Sequence, residues 1–144
     1  MIPVKRLREG AKLPTFGSQQ AAGADLYACL EESVTIQPGQ TAFIPTGLAM
    51  ALPEGYVGLI CARSGMACKM GLAPANKVGV IDSDYRGEFI VALHNHGGEP
   101  RTVTHGDRIA QLMVVPVLHP VYEEAMELSE TIRGAGGFGS TGTR

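Results

Sequence analysis

The stretch VTIQPGQTAFIPTGLAMALPEGYVGLIC, residues 34–61, decides the fold class because short apolar runs are separated there by tight-turn residues. The apolar runs lie at residues 34–36, 41–44 and 56–61, and the turns lie at Pro38-Gly39 and Pro53-Glu54-Gly55. Proline presets φ for a turn and glycine accepts positive φ, so each of these pairs favours chain reversal. Short runs at this spacing predict the strands of a β-sandwich or barrel.

The same pattern continues through the rest of the chain. Gly97-Gly98 and His105-Gly106-Asp107 separate apolar runs at 88–95 and 108–115, and residues 2–7 and 24–28 predict two earlier strands. The chain has 144 residues, with 19 glycines and 9 prolines, which is enough for one hydrophobic core. We therefore predict one all-β domain over residues 1–132.

Two of the predicted strands are apolar on both faces. Phe89, Val91 and Leu93 alternate with Ile90 and Ala92, and residues 109–115 show a similar pattern. An antiparallel sandwich usually leaves one face of each sheet polar. The pattern indicates that a second subunit covers the other face, although a two-sheet core would also bury part of it.

The sequence predicts one short helix, from Ser64 to Met70, with Ser64 as its N-cap and Gly71 as its stop. Residues 121–128 fit a helix or a strand equally. Residues 133–144 contain five glycines and one aromatic residue, and this composition predicts a flexible tail.

Composition argues against several functional classes. A net charge of −2 provides no basic field for a nucleic acid. The three cysteines, Cys29, Cys61 and Cys68, have neither disulfide-framework nor zinc-ribbon spacing. A reducing, cytoplasmic location is expected.

No targeting or membrane segment is expected either. The N-terminal residues lead directly into a strand pattern rather than a signal peptide. The most apolar runs, at 41–52 and 109–118, are interrupted by Pro45 and Pro116 and are shorter than a membrane span.

Arg63-Ser64-Gly65 is the first candidate site. At this position an arginine and a hydroxyl meet the start of the predicted helix, where backbone N–H groups and the helix dipole favour an anion. The alternative is that Ser64 only caps the helix and Arg63 is solvated, and the spacing does not choose between the two.

Residues 79–87 (GVIDSDYRG) form the second candidate, because an apolar strand leads into a turn with two acids, a tyrosine and an arginine. Asp82 has the chemistry to orient a water for attack on phosphorus. Asp-Ser-Asp is also ordinary turn chemistry, so an exposed hairpin without catalytic function would look the same.

The tail is the third candidate. Phe138 would stack on a base and Arg133 would pair with a phosphate, while the alternative is a terminus without function. Gly134 and Gly139 have the separation of a P-loop, but Ser140 stands where the phosphate-binding lysine belongs. This excludes a Walker site.

Four other polar residues stand out. Asp25 and Gln111 lie in apolar strands and need polar partners if those strands are buried. His94 and His96 share one face of a strand and suit a metal, but the sequence supplies no third ligand.

In their order and spacing, five segments resemble the five motifs of the trimeric dUTPase family over nearly the whole chain. They are AGADLYA (22–28), RSGMA (63–67), GVIDSDYRGE (79–88), GDRIAQL (106–112) and RGAGGFGSTG (133–142). The resemblance implies a jelly-roll-type β-sandwich of the β-clip kind, arranged as a homotrimer with active sites shared between subunits. It also implies Mg²⁺-dependent hydrolysis of dUTP to dUMP and pyrophosphate. That reaction limits uracil incorporation into DNA and supplies dUMP for thymidylate synthesis.

The resemblance also implies residue roles. Asp82 matches the catalytic aspartate that activates water for attack on the α-phosphorus. Arg63-Ser64-Gly65 and Gln111 match phosphate-binding residues. Asp25 matches an acid near Mg²⁺ that acts through water, the metal being held mainly by substrate phosphates.

The third motif would form a hairpin that reads the uracil edge with backbone groups, while Tyr85 packs under the deoxyribose. A ring close beneath the sugar excludes a 2′-hydroxyl and so rejects UTP. Because backbone groups read the edge of the base, the amino group of cytosine would face a hydrogen-bond donor and stay unpaired. A hairpin that is narrow beside C5 of the base would exclude the methyl group of thymine. The tail would close over bound nucleotide. The substrate-binding residues implied are Arg63, Ser64, Gly65, Asn76, Gly79, Val80, Ile81, Asp82, Tyr85, Ile90, Gln111, Arg133, Phe138 and Gly139.

Three other functions compete with this interpretation. A dCTP deaminase of the same fold would carry different residues after the arginine-serine pair and would lack this tail. A non-catalytic nucleotide-binding relative would have lost Asp82, Tyr85 or the tail, and all three are present. A simple β-sandwich interaction module does not account for Gln111 in an apolar strand.

Overall fold

The computed structural model describes residues 1–137, which form twelve strands and one short helix. In chain order they are β1 (Val4–Arg6), β2 (Thr15–Phe16), β3 (Ala24–Tyr27), β4 (Val34–Ile36), β5 (Thr41–Pro45), β6 (Leu48–Met50), β7 (Tyr56–Cys61), α1 (Ser64–Met70), β8 (Leu72–Pro74), β9 (Gly79–Ile81), β10 (Ile90–Asn95), β11 (Arg101–Val103) and β12 (Arg108–Pro116). The predicted all-β class with one short helix is confirmed.

The strands form two larger sheets and two strand pairs. The largest sheet has the order β2-β3-β12-β7-β9, and the second has the order β5-β10-β8. The pairs are β1-β6 and β11-β4, and the ladders throughout are antiparallel. Strand β12 is the longest and lies between β3 and β7, so it links the segments that carry the candidate site residues.

A single cluster of buried apolar side chains joins the two larger sheets. Leu26 and Ile60 contribute from the five-stranded sheet, and Ile44, Val91 and Leu93 contribute from the three-stranded sheet. Burying a side chain of this size stabilises the fold by about 1.5–3 kcal/mol. The inner face of β10 is therefore core, as its alternation predicts, whereas Ile90 on the outer face is 45% exposed.

The helix has the predicted bounds but not the predicted N-cap. Arg63 is the N-cap, with extended backbone, and its carbonyl accepts the first helical N–H, from Ala67, at 2.9 Å. Ser64 is already the first helical residue, so its hydroxyl does not cap the helix. Gly71 ends the helix with φ of 70°, as predicted, because glycine accepts this left-handed conformation.

Two further segments differ from the sequence pattern. Leu48–Met50 forms a strand, β6, that pairs with β1 and is buried at all three positions, so it shows no alternation. Residues 121–128 form neither helix nor strand in the described chain, and their apolar side chains are exposed. Within residues 1–137 no helix has the length and apolarity to span a membrane.

Candidate functional site

A small polar pocket brings together three of the candidate segments. It has a volume of about 240 Å³ and is lined by Gly17, Ala21, Gly23, Asp25, Arg63, Ser64, Gly65, Arg108 and Gln111. Asp25 comes from β3, Arg63 to Gly65 come from the start of α1, and Gln111 comes from β12. The structure therefore assembles residues that lie more than 80 positions apart in the chain.

The register of the five-stranded sheet explains this convergence. On β12, Gln111 lies opposite Asp25 of β3 on one side and Cys61 of β7 on the other. Arg63 follows the end of β7 by two residues, so it reaches the same end of the sheet as Gln111. The amide of Gln111 donates to the Ala62 carbonyl at 2.9 Å, which ties β12 to the start of the helix.

Arg108 was not among the residues predicted from the sequence. Strict alternation places Arg108 and Gln111 on opposite faces of β12, three positions apart. The register against β3 shifts between Arg108 and Ala110, and a bulge of this kind inserts one extra residue. Ile109 and Ala110 are both buried as a result, and Arg108 and Gln111 both line the pocket.

The pocket is basic, because two arginines share one carboxylate. Arg63 Nε lies 2.7 Å from Asp25 Oδ1, and Arg108 Nη1 lies 3.4 Å from Asp25 Oδ2. Asp25 balances only one of the two positive charges, so an excess positive charge remains. Guanidinium groups match phosphate oxygens with paired donors, which suits the pocket to a phosphate ligand.

The start of α1 adds backbone donors to this pocket. The first N–H groups of a helix have no acceptor within the helix, and no side chain caps α1. Ser64 and Gly65 are exposed and line the pocket, so both residues are accessible to an anion there. Of the two interpretations of Arg63-Ser64-Gly65, the structure removes the one in which Ser64 caps the helix.

Gly23 shapes the opposite wall. A Cβ at this position would lie 2.8 Å from Gln111 Oε1 and 3.2 Å from Gln111 Cβ. The Gln111 side-chain oxygen cannot keep its present position beside an alanine at residue 23. The small-residue stretch before β3 is therefore needed for the placement of Gln111.

The described residues contain no group of three or more histidine, cysteine, aspartate or glutamate side chains that would hold a metal. Asp25 is the one carboxylate lining the basic pocket, and both of its oxygens face arginines. This arrangement fits a metal contacted through water rather than bound directly, as Mg²⁺ commonly is when phosphates supply its other ligands.

His94 lies in β10 but His96 lies just beyond its end, so the two do not share a strand face as expected, and they do not supply a better metal site. The His94 and His96 rings lie 4.4 Å apart between centroids, and His94 Nδ1 is hydrogen-bonded to Thr41 Oγ1 at 2.8 Å. Desolvation lowers the pKa of His96, and the positive charges of His94 and Lys77 lower it further. Within the described chain no third ligand joins them.

The third motif lies in a different place from the basic pocket. Val80, Asp82 and Ser83 line a separate cavity of about 770 Å³, and none of them lines the basic pocket. The expected hairpin needs correction. β9 pairs with β7 and β10 pairs with β5 and β8, so residues 82–89 connect two sheets rather than two paired strands.

Tyr85 is held within this connection. Its hydroxyl donates to the Glu88 carbonyl at 3.0 Å, and its ring lies 6.2 Å from the ring of buried Phe89. A Cβ at Gly87 would collide with the tyrosine hydroxyl, so this glycine is needed for the observed ring position. Val80 and Tyr85 remain 63% and 43% exposed, and Asp82 is exposed beside them.

The remaining predicted residues lie in three places. Gly79 and Ile81 belong to β9, Asn76 precedes it with Nδ2 3.4 Å from where a Cβ at Gly79 would lie, and Ile90 is exposed at the start of β10. Arg133 is exposed and donates to the Gly136 carbonyl at 2.9 Å, away from the basic pocket. Phe138 and Gly139 lie outside the described residues.

The fold defines an all-β protein whose basic pocket suits a phosphorylated small molecule. A sequence profile of the dUTPase family matches residues 9–142. The chain is 55% identical over 142 residues to the deoxyuridine 5′-triphosphate nucleotidohydrolase of Desulfitobacterium hafniense, covering 98% of this chain and 94% of that protein. It is 50% identical over 141 residues to the same-named protein of Syntrophotalea carbinolica, covering 98% and 96%. The chain therefore belongs to the dUTPase family.

Solved structures of dUTPases share this fold. The Staphylococcus bacteriophage 80alpha dUTPase with dUpNHpp aligns with a TM-score of 0.87 at 30% identity, over 99% of both chains. The dUTPase from phage phi11 of S. aureus aligns with a TM-score of 0.78 at 29% identity, over 88% of this chain and 97% of the other. The predictions of the family, of the fold class and of an enzyme of the dUTP diphosphatase kind are confirmed.

Proposed function

We propose that the protein hydrolyses dUTP to dUMP and pyrophosphate, in a Mg²⁺-dependent reaction at sites shared between the subunits of a homotrimer. The observation that carries this proposal is the separation of the two halves of the site. The basic pocket includes neither Asp82 nor Tyr85: Asp82 lines the 770 Å³ cavity, and Asp82 and Tyr85 together line a smaller pocket of about 230 Å³. A nucleotide long enough to use both halves is therefore bound between two copies.

The basic pocket would hold the phosphates. Arg63 and Arg108 supply guanidinium donors, Ser64 and Gly65 supply donors at the start of α1, and Gln111 supplies an amide. When a triphosphate enters, its oxygens compete with the Asp25 carboxylate for the two arginines. Charge-assisted pairs of this kind are stronger than neutral hydrogen bonds, so the arginines fix the orientation of the phosphate chain.

The third motif of the neighbouring copy would hold the nucleoside. Backbone groups of Val80 and Ile81 would read the uracil edge, with Asn76, Gly79 and Ile90 around the base. Tyr85 would pack under the deoxyribose, leaving no space for a 2′-hydroxyl. Steric exclusion of this kind rejects a competitor without improving the binding of the substrate.

Asp82 would be the general base. Its carboxylate is exposed at the end of β9, so a water beside it has access to an incoming nucleotide. Removing a proton from that water as it attacks the α-phosphorus leaves dUMP on one side of the broken bond and pyrophosphate on the other. Carboxylate general bases typically contribute a factor of about 10²–10⁴ to such a step.

Magnesium would bind mainly to the substrate phosphates, with Asp25 contacting it through water. The metal would neutralise charge on the phosphate oxygens when it is bound. Asp25 fits this role because it is held by Arg63 and Arg108 and is 13% exposed at its side chain. The chain's own contribution is to keep that carboxylate fixed at the edge of the phosphate pocket.

Residues 117–132 support the trimer. This segment is without helix or strand, and its large apolar side chains are exposed to about the extent of an unfolded chain, at 90% for Leu118, 95% for Val121 and 90% for Tyr122. Isolated exposed apolar residues are common, but a run of them along one segment marks a contact surface. The neighbouring copies of the trimer would cover it.

The tail, residues 133–144, would act as a separate unit that closes over the bound nucleotide of a neighbouring site. Arg133 would exchange its hydrogen bond with Gly136 for one to a terminal phosphate. Phe138 would stack on the uracil, with Gly139 next to it. Closure of this kind excludes water and completes the site only when substrate is present.

The relatives support this assignment. Two share at least half of their residues with the chain and carry the name deoxyuridine 5′-triphosphate nucleotidohydrolase. One structural neighbour was solved with dUpNHpp, and the description of another names a structural Mg(II) ion. We further propose a cytoplasmic location, with no nucleic-acid or membrane partner. The reaction would limit uracil incorporation into DNA and supply dUMP for thymidylate synthesis.

The test is hydrolysis of dUTP by the purified protein with magnesium, with products separated and with dCTP, dTTP and UTP run in parallel. We expect dUMP and pyrophosphate from dUTP alone. Asp82→Asn should lower kcat by about 10²-fold or more, while Asp84→Asn, an acid of the same turn, should stay close to the parent. Equal hydrolysis of all four nucleotides would contradict the proposed uracil site.

A further inference from the structure

An ion pair ties the N-terminal part of the chain to the turn that carries Tyr85, and its acid, Glu88, lines a small pocket with Asp82 and Tyr85. Arg8 donates to both oxygens of Glu88, from Nε at 2.9 Å and from Nη2 at 3.1 Å. Glu88 Oε1 also accepts the backbone N–H of Gly47 at 2.8 Å. The Glu88 side chain is 14% exposed and the Arg8 side chain is 48% exposed, so the carboxylate is the fixed partner of a partly exposed pair and accepts three hydrogen bonds.

The backbone segments that contact Glu88 are closely packed. Gly47 has φ of 70°, and a Cβ there would lie 2.8 Å from Ala11 Cβ and 2.9 Å from Cys29 Sγ. Phe89, the residue after Glu88, is fully buried and its N–H donates to the Leu48 carbonyl at 2.8 Å. The Glu88 peptide is therefore fixed through its own side chain and through its neighbour.

Tyr85 is in turn fixed to that peptide. The Glu88 carbonyl accepts the tyrosine hydroxyl at 3.0 Å, and the absence of a side chain at Gly87 lets the ring lie against the backbone. Asp82, Tyr85 and Glu88 thus lie on one short connection whose far end is held by Arg8. A shift of the Glu88 carbonyl would move the hydroxyl end of the ring.

We propose that Arg8 and Glu88 are positioning residues for discrimination at the 2′ position of the sugar. The ion pair fixes the Glu88 carbonyl, and that carbonyl fixes the Tyr85 ring. The ring excludes a 2′-hydroxyl only while its distance from the bound sugar does not change. This inference rests on the proposed function, in which Tyr85 packs under the deoxyribose. Small misplacements of such a group have measurable effects on selectivity.

The test compares kcat/KM for dUTP and for UTP in Arg8→Met, which keeps most of the side-chain volume and removes the ion pair. We expect the dUTP-to-UTP ratio to fall by about two- to fivefold, the effect of losing one partly exposed charged pair. Arg6→Met is the matched control, because Arg6 bonds the Ala11 carbonyl and not Glu88. Its ratio should equal that of the parent.

Two further variants separate positioning from general damage. Arg8→Lys keeps the charge but not the paired donors, so it should restore part of the ratio. Glu88→Gln combined with Arg8→Met should lose no more selectivity than either change alone if the two residues act as one unit. Arg8→Lys and the single variant Glu88→Gln carry the test if Arg8→Met proves unfolded by circular dichroism.

The outcomes are distinct. An unchanged ratio in Arg8→Met and in Glu88→Gln, with a lowered ratio in Tyr85→Ala, would overturn the positioning role and leave the sugar site standing. An unchanged ratio in Tyr85→Ala would overturn the placement of Tyr85 under the sugar, and the positioning role with it. Absence of dUTP hydrolysis in the parent would overturn the proposed function itself.

Discussion

At the scale of single residues, the candidate site depends on side chains whose types are visible in the sequence and whose partners are not. Asp25 and Gln111 could be predicted as polar groups that need partners, because each interrupts an apolar strand. Their pairing on adjacent strands comes from register alone. Arg108 could not be predicted as a pocket residue, because a backbone irregularity reverses the face that alternation assigns to it.

Gly23→Ala tests the packing of Gln111. The added Cβ would meet Gln111 Oε1 at 2.8 Å, so the amide must leave its place or the strand must shift. We expect kcat/KM for dUTP to fall by about tenfold, with a smaller loss of thermal stability. Gly98→Ala is the control, since a Cβ there meets no atom within 4 Å. Parent-like kinetics in Gly23→Ala would show that the Gln111 amide is not needed in its present position.

Glu88 gives a pH prediction. Its hydrogen bond from Arg8 lowers the pKa of the Glu88 carboxyl below its ordinary value of 4.5, despite the opposing effect of burial. A depressed pKa in the folded state stabilises the protein above about pH 4.5, and that stability is lost as pH falls through the folded value. The melting temperatures of the parent and of Glu88→Gln should therefore converge as pH is lowered from 6 towards 3. A difference that stays constant over this range would contradict the ion pair.

At the scale of elements, strands bounded by proline and glycine turns were predictable, and segments defined by tertiary contacts were not. Residues 56–61 form a strand with the predicted bounds, and Gly71 ends the helix. Leu48–Met50 was missed because all three residues are buried and show no period of two. The N-cap was misplaced by one residue, since serine is the better cap by propensity but Arg63 has the extended backbone here.

Gly71→Ala tests the helix end. The position has φ of 70°, and a Cβ would lie 2.7 Å from the Gly97 backbone nitrogen, so the substitution combines strain with a clash against rigid backbone. We expect the free energy of unfolding to fall by about 1–3 kcal/mol, measured by urea denaturation. Lys69→Ala, at an exposed site of the same helix, should change it by less than about 0.5 kcal/mol. Equal effects from the two changes would contradict this account of the helix stop.

At the scale of the whole molecule, we propose that one chain supplies two half-sites that become complete only between copies. The core joins both sheets within one copy, yet the basic pocket and the Asp82 turn use different cavities. Strands that are apolar on both faces and the exposed segment at 117–132 agree with assembly into an oligomer. The periodicity of the sequence indicates which strand faces are apolar and left uncovered by the single chain. It does not indicate which residues of another copy contact those faces, because those contacts depend on the geometry of the assembly.

The most direct test of the shared site mixes two inactive variants. Arg63→Ala removes one of the two arginines of the basic pocket, and Asp82→Asn removes the proposed base, so each homotrimer alone should be nearly inactive. In trimers formed by co-refolding equal amounts, about a quarter of the interfaces would pair an intact Arg63 from one copy with an intact Asp82 from its neighbour. We predict that dUTP hydrolysis returns to about that fraction of the parent activity. No recovery in trimers shown to contain both variants would contradict a site built between copies and would place both residues in the same chain's site.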